Sequence, residues 1–449
     1  MGSNTKADNI QPRSIVLDIL IEVLEKDRLS HLAIRDALQR KEITAQCDRA
    51  FIKRLAQGTI ERLLELDYII NLFSKVKVNK QKPVIRNILR MSVYQIKYMD
   101  SVPDSAVCNE AVKLTSKRGF YNLKGFVNGV LRNIMRNPEK LLIPEDNISI
   151  RYSMPQWIID LWMDEYGNDR TMQMLDASQK EKRICIRRNT SKISGEKFEA
   201  ALKEEQIQFD KSPLCEYVYY IRNVSGIDKI KAFGEGMFQV QDMSSVMVGL
   251  AADVKKDMIC LDMCAAPGGK TMHIADLLKG TGKVYARDIS EEKINLIREN
   301  IKRTGFQNVE TKVFDAAKTD ESLIGQCDLV ICDLPCSGLG VMAGKSDIKY
   351  KTSYEDIINL AEVQKNILAT AKKYLKKNGR LIFSTCTVNK IENDDNVKWI
   401  KENLGLTPFS LENIIQDTKK YPTAADGYIQ IFPGDDDMDG FFVSGFTNT

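Results

Sequence analysis

The run Leu261-Asp262-Met263-Cys264-Ala265-Ala266-Pro267-Gly268-Gly269-Lys270-Thr271 takes a short apolar segment straight into a turn with two adjacent glycines. Helical spacing of apolar residues follows over 271–278. A strand that enters a helix through glycines exposes backbone N–H groups and lets a ligand approach the main chain closely. The same grammar repeats downstream. Apolar runs at 258–263, 284–286, 329–332 and 381–383 alternate with helical stretches at 271–278, 291–303 and 356–375. Such alternation predicts a parallel, doubly wound α/β sheet of Rossmann-like type, whose ligands bind at the carboxyl ends of the strands near the topological switch point.

Those strand ends carry the candidate chemistry. Residues 264–271 approach the phosphate-loop pattern Gly-x-x-x-x-Gly-Lys-Ser/Thr, but Cys264 stands where the first glycine belongs and Pro267 removes an N–H that a phosphate cradle would use. The dinucleotide pattern Gly-x-Gly-x-x-Gly is absent as well. Asp288 closes the second run, where a carboxylate accepts from ribose hydroxyls, and Asp315 follows the third predicted strand, within reach of an adenine amine. Acids without a phosphate cradle favour a nucleoside carrying positive charge. S-adenosyl-L-methionine fits that description; ATP and NAD fit it less well. Asp288 reads equally as the N-cap of the helix begun by Ser290, Glu291 and Glu292.

The next two strands end in cysteine. Asp333-Leu334-Pro335-Cys336-Ser337-Gly338 follows the fourth run and Ser384-Thr385-Cys386-Thr387 the fifth. The chain has 10 cysteines and only two histidines, His31 and His273, which leaves almost no room for a histidine triad or a multi-histidine metal site. Cys260, Cys327 and Cys332 lie within the apolar runs and read as small core hydrophobes. Cys260, Cys264, Cys332 and Cys336 have a spacing that invites zinc, yet at about 3.3 Å per strand residue Cys260 is roughly 13 Å from Cys264, too far for one tetrahedral ion. No metal is expected.

At 449 residues the chain is long enough for two to four domains. No apolar run approaches the length of a membrane span, and the first residues match neither a signal peptide nor the myristoylation pattern, so a soluble cytoplasmic protein with no membrane partner is expected. The net charge of +4 is uneven: residues 1–150 carry 25 Lys/Arg against 17 Asp/Glu, residues 151–240 balance at 14 of each, and residues 241–449 carry 26 against 30. A basic module joined to an acidic one points to an anionic partner such as nucleic acid, although a solvated helical surface gives the same arithmetic. Residues 10–140 show helical periodicity throughout, with Arg86, Arg90, Lys97, Arg132 and Arg136 assigned to polar faces. Pro138, Pro144 and Asn147 mark a linker. Predicted helices at 157–163 and 197–205 and strands at 183–188 and 217–222 make a small α+β unit.

Taken together, Cys-Ala-Ala-Pro-Gly-Gly-Lys-Thr at 264–271, Asp-x-Pro-Cys-Ser-Gly at 333–338, Ser-Thr-Cys-Thr at 384–387 and the closing Asp439-Gly440-Phe441-Phe442-Val443 resemble the RsmB family of bacterial small-subunit ribosomal RNA methyltransferases. The helical segment, with Phe126-Val127-Asn128-Gly129-Val130-Leu131-Arg132-Asn133, is similar to the RNA-binding NusB fold. The resemblance implies three parts: a NusB-like all-α bundle over 1–143, a small α+β RNA-binding or linker unit over 144–235, and an α/β class I methyltransferase domain over 236–449. It implies a monomer that methylates C5 of a cytosine in 16S ribosomal RNA. Cys386 is then the nucleophile, Cys336 assists breakdown of the adduct, and Asp333 meets the base. The implied cofactor site is Cys264, Ala265, Ala266, Pro267, Gly268, Gly269, Lys270, Asp288, Asp315 and Asp333. Leu334, where the family commonly has alanine, and Ala343-Gly344-Lys345-Ser346-Asp347, where relatives often show an arginine pair, depart from the pattern. With histidine scarce, activation of Cys386 is expected from local electrostatics, with Lys270 the candidate.

Overall fold

Seven helices in the first 135 residues bear out the helical periodicity in the computed structural model, which describes residues 11–40, 43, 45–180, 182–222, 224, 226–415 and 418–449. The terminal residues read above for targeting lie outside this set. The chain divides into two compact units, residues 1–164 with 344–351, and residues 165–343 with 352–449. In the first unit the helices Pro12–Glu25, Ser30–Arg40, Gln46–Glu61, Leu63–Phe73, Pro83–Tyr98, Asp104–Lys117 and Lys124–Met135 enclose an apolar core that includes Leu17, Leu55, Ile69, Leu89 and Leu131. Pro12 and Pro83 open their helices, where a missing N–H costs nothing and φ is already helical.

The polar faces are not all free, and here the sequence reading needs correction. Arg86 donates to Glu25, Arg90 forks onto Asp67 with two 2.7 Å hydrogen bonds, and Lys97 meets Glu65 at 2.5 Å. These three are neutralised inside the bundle because their acidic partners sit on neighbouring helices, far away in sequence. Arg132 and Arg136 are exposed. So are Lys75, Lys77, Lys80 and Lys82, on a turn pinned by Val78 N–H donating to Asn71 Oδ1 at 2.9 Å and by Gln81 donating to the Val76 carbonyl at 2.9 Å.

A short helix from the far end of the chain, Ile348–Lys351, belongs to this unit. Asp347 accepts from Ser30 N at 3.0 Å, Lys349 Nζ donates to the Glu61 carbonyl at 3.0 Å, and the Tyr350 hydroxyl donates to the carbonyls of Glu61 and Ser153 at 3.0 and 2.9 Å.

In the second unit, strands β1 (Ile184–Arg188), β2 (Gln208–Lys211), β3 (Val218–Arg222) and β4 (Phe238–Val240) form an antiparallel sheet in the order β2-β3-β1-β4. β4 was not read from the sequence; it extends this sheet past residue 235 because Ile186, Arg187 and Arg188 pair with Val240, Gln239 and Phe238. The larger sheet comprises β5 (Ile259–Asp262), β6 (Lys283–Asp288), β7 (Val309–Val313), β8 (Cys327–Asp333), β9 (Leu375–Thr385), β10 (Thr407–Pro408), β11 (Tyr428–Ile431) and β12 (Phe441–Thr447). Its order is β10-β12-β9-β8-β5-β6-β7, with β11 paired to β12. Strands β5 to β9 are parallel to one another and β12 runs antiparallel to β9. The order reverses between β5 and β8, so the crevice for a ligand opens at their carboxyl ends. Cys260, Cys327 and Cys332 are fully buried, and burial pushes the Cys260 and Cys327 thiols up to about 12. No helix among the described residues is long and apolar enough to cross a membrane.

Candidate active site at the strand ends

The turn after β5 is built by its backbone. Met263 N–H donates to the Ile331 carbonyl of β8 at 3.1 Å, and Ala265 N–H to the Arg287 carbonyl of β6 at 2.9 Å, so the turn spans the switch point. Gly268 has φ of 105°, a left-handed conformation that disfavours any side chain, and it caps the helix Gly269–Leu277. Asp262, at the tip of β5, is buried and accepts from Thr271 Oγ1 at 2.6 Å. Burial pushes its carboxyl up to about 7.

Asp288 ends β6 and is buried; it accepts from Ala266 N–H at 2.9 Å and from Ile289 N–H at 2.8 Å, with Lys293 Nζ at 3.0 Å. It is not the helix cap: Ser290 holds that place on Glu291–Thr304, accepting from Lys293 N–H at 3.4 Å. Asp315, half-buried two residues past β7, accepts from Ala317 N–H at 3.0 Å. The Cys264 thiol reports the local field. Burial pushes it up, and the carboxylates of Asp262, Asp288 and Asp333 push it further. Acidic groups therefore converge on this turn, and Asp262 Oδ1 is buried without a partner among the described residues. That donor set suits a cationic nucleoside and suits a triphosphate poorly.

The two thiols meet at the next strand pair. β8 and β9 are parallel neighbours in the register Asp333↔Ser384. The loops that leave them bring Cys336 Sγ to 3.4 Å from Cys386 Sγ, both residues half-buried. The Cys336 thiol is pushed up well above its usual range, first by its contact with Cys386, then by burial and by the carboxylates of Glu392 and Asp333. Two thiols this close cannot both ionise, so the pair holds at most one thiolate and one proton donor. Beside them Asp333 is clamped from both sides. Lys270 Nζ donates to Oδ2 at 2.7 Å and Ser384 Oγ to Oδ1 at 2.8 Å, while the ammonium lies 5.2 Å from the centroid of the Phe441 ring. The partner of Lys270 is thus the Asp333 carboxylate, where the sequence reading had looked for a thiol.

His273 is buried in the helix after the glycine turn, its Nε2 3.2 Å from the Tyr217 hydroxyl; burial and Arg187 keep the ring neutral. Among the described residues no cluster of histidine, cysteine and carboxylate side chains has the make-up of a metal site. Sequence reasoning did not find Ser384's grip on Asp333 or the buried Glu392. The polar stretch after Cys386 was the available signal, and it does not say which residue turns inward.

Three family models match along the chain: the NusB family over residues 10–136, the RsmF/B-like methyltransferase ferredoxin-like domain over 154–224, and 16S rRNA methyltransferase RsmB/F over 250–447. The chain is similar to the "Probable ribosomal RNA small subunit methyltransferase B" of Bacillus subtilis (strain 168), at 34% identity across 96% of this chain and 97% of that one. Among solved structures it resembles that of PH0851, with 24% identity, a TM-score of 0.83 and coverage of 97% and 99%. It also resembles NSun6 from Pyrococcus horikoshii with SFG, at 22% identity, a TM-score of 0.60 and coverage of 66% and 98%. At these identities the two structures speak for the fold.

Proposed function

The chain belongs to the 16S rRNA methyltransferase RsmB/F family, and from that premise we propose that it methylates C5 of a cytosine in small-subunit ribosomal RNA through a covalent bond between Cys386 and C6 of the base. The observation that carries this reading is the pair of sulfurs 3.4 Å apart at the ends of β8 and β9, with Asp333 at the same edge. S-adenosyl-L-methionine is the methyl donor and, when bound, supplies the methyl group that C5 receives. Residues 264–270 with Asp288, Asp315 and Asp333 hold it, their carboxylates matching its positive charge.

Cytosine C5 is a poor nucleophile. Attack of the Cys386 thiolate at C6 forms an S–C bond and moves the C5–C6 electron pair onto C5, splitting one hard step into easier ones. Asp333, oriented by Lys270 and Ser384, accepts from the N4 amino group and from N3–H, favouring the N3-protonated ring whose C6 takes the thiolate without a build-up of negative charge. After methylation a water molecule takes the C5 proton, the C5–H electron pair re-forms the C5–C6 double bond, and the C6–S bond breaks so that Cys386 leaves as the thiolate. Cys336, kept protonated by its surroundings and 3.4 Å from the departing sulfur, assists that breakdown by donating a hydrogen bond to the Cys386 thiolate as it leaves. Reaction at a ring edge requires the base to be unstacked, so the target cytosine lies in a single-stranded or splayed segment.

Cys386→Ala should abolish methyl transfer and leave binding of S-adenosyl-L-methionine intact. Cys336→Ala should accumulate an RNA–protein adduct that survives a denaturing gel. An adduct appearing with Cys386→Ala instead would reverse the two roles.

A further inference from the structure

Cys336 and Cys386 lie on separate loops, and both loops converge on one buried carboxylate. Glu392 is fully buried, six residues beyond Cys386. Its Oε1 accepts from Ser337 N–H at 3.0 Å and from Gln364 Nε2 at 2.8 Å. Its Oε2 accepts from Asn389 Nδ2 at 2.7 Å and from the Ser337 hydroxyl. The four donors come from three places: the loop after β8, the helix Tyr354–Tyr374 and the loop after β9. Ser337 and Thr387, each the residue next to a thiol, touch through their hydroxyls at 2.6 Å, and Gln364 also donates to the Pro335 carbonyl at 2.9 Å.

An ionised carboxylate only accepts, so it satisfies all four donors together; an amide of the same shape turns an NH₂ against two of them. A buried carboxylate also costs a great deal unless it is fully hydrogen-bonded, so this site is built around the charge rather than merely tolerating it. The loops it joins are already in close contact. Gly340 N–H donates to the Cys386 carbonyl at 3.0 Å, and a Cβ on Gly340 would stand 2.9 Å from that same carbonyl oxygen. We propose that Glu392 is a positioning residue for the two thiols, holding the Cys336 loop against the Cys386 loop through Ser337 and Thr387 so that both sulfurs reach one cytosine ring. This rests on the thiol chemistry proposed above. The same negative charge disfavours ionisation of the neighbouring Cys336 thiol and so keeps a proton on it.

The experiment reads the thiols directly. Alkylation of Cys336 and Cys386 by iodoacetamide is followed against pH in the full-length protein, with each site resolved by peptide mass spectrometry, alongside methylation kinetics and binding of S-adenosyl-L-methionine. In Glu392→Gln the alkylation profile should move to lower pH by about half a unit or more, and kcat should fall about tenfold or more with KM for RNA unchanged. Ser337→Ala keeps both the charge and the backbone bond to Glu392, so it should lower kcat by about two- to fivefold without moving the alkylation profile to lower pH; its kcat serves if the glutamine variant does not fold. An unchanged alkylation profile in Glu392→Gln, or an unchanged kcat in the variants, would overturn the proposal. So would a loss of kcat matched by lost binding of S-adenosyl-L-methionine, since that pattern is general damage. Alkylation is measured without RNA, so a Cys386→Ala protein that still methylates would refute the thiol chemistry and leave the Glu392 result standing.

Discussion

At the scale of single residues, Asp333 is the side chain whose surroundings are most specific. One oxygen takes the Lys270 ammonium at 2.7 Å and the other the Ser384 hydroxyl at 2.8 Å, which leaves the carboxylate one orientation. A hydrogen bond to a charged group is worth about 1.5–3 kcal/mol, so Lys270→Met should lower kcat by about 10- to 100-fold. Lys270→Arg, which restores a charged donor, should recover part of that loss. Single-turnover methylation with saturating RNA checks this, and a wild-type rate in Lys270→Met would remove Lys270 from the site. What could be read from sequence at this scale followed from strand grammar. An apolar run that ends in a polar residue places that residue at the rim, which puts Asp288, Asp333, Cys336 and Cys386 at strand ends. Glu392 and Ser384 act through partners up to 55 residues away, and no local pattern records such a convergence.

At the scale of elements, long amphipathic helices and buried parallel strands announce themselves by period, whereas short or atypical ones do not. β4 has three residues, and its place in the middle sheet comes from pairing with β1. β9 begins at Leu375, six residues before its apolar run, because Lys376, Lys377, Asn378 and Gly379 carry no strand signal. The helix Ile348–Lys351 shows a further limit: four residues do not reveal the core they join. There Lys349 is buried, and desolvation lowers its ammonium to about 7. Between about pH 7 and the usual lysine range the unfolded chain holds this proton and the folded chain does not, so stability rises with pH across that window. Below pH 7 both states hold it and the dependence ends. Lys349→Met should therefore stabilise the protein by about 1–4 kcal/mol near neutral pH, and its advantage over wild type in thermal unfolding should shrink from pH 7 to pH 10. An advantage that stays constant with pH would mean Lys349 carries its ordinary charge.

At the scale of the whole molecule, the formal charge is a poor guide until its pairing is known. The first 150 residues owe their excess to 25 basic side chains, yet Arg86, Arg90 and Lys97 are taken up by Glu25, Asp67 and Glu65 and offer nothing to an anion. Among the described residues the exposed lysines of the 75–82 turn take part in no ion pair, and their backbone is held by Val78 N–H donating to Asn71 and by Ser74 and Gln81 donating to the Val76 carbonyl. If the basic unit grips ribosomal RNA, this turn contributes phosphate contacts, and the contribution is countable. Each neutralised phosphate adds about 0.7–0.9 to the slope of log affinity against log salt. Replacing Lys75, Lys77, Lys80 and Lys82 together by alanine should flatten that slope by up to about 3 and weaken binding most at low salt. It should leave kcat at saturating RNA unchanged, because nothing in the thiol site is altered. Titrating a fluorescent rRNA fragment at several salt concentrations measures the slope. A variant with the wild-type slope would show that these lysines are a solvated face, and that the charge excess of the helical unit serves something other than RNA.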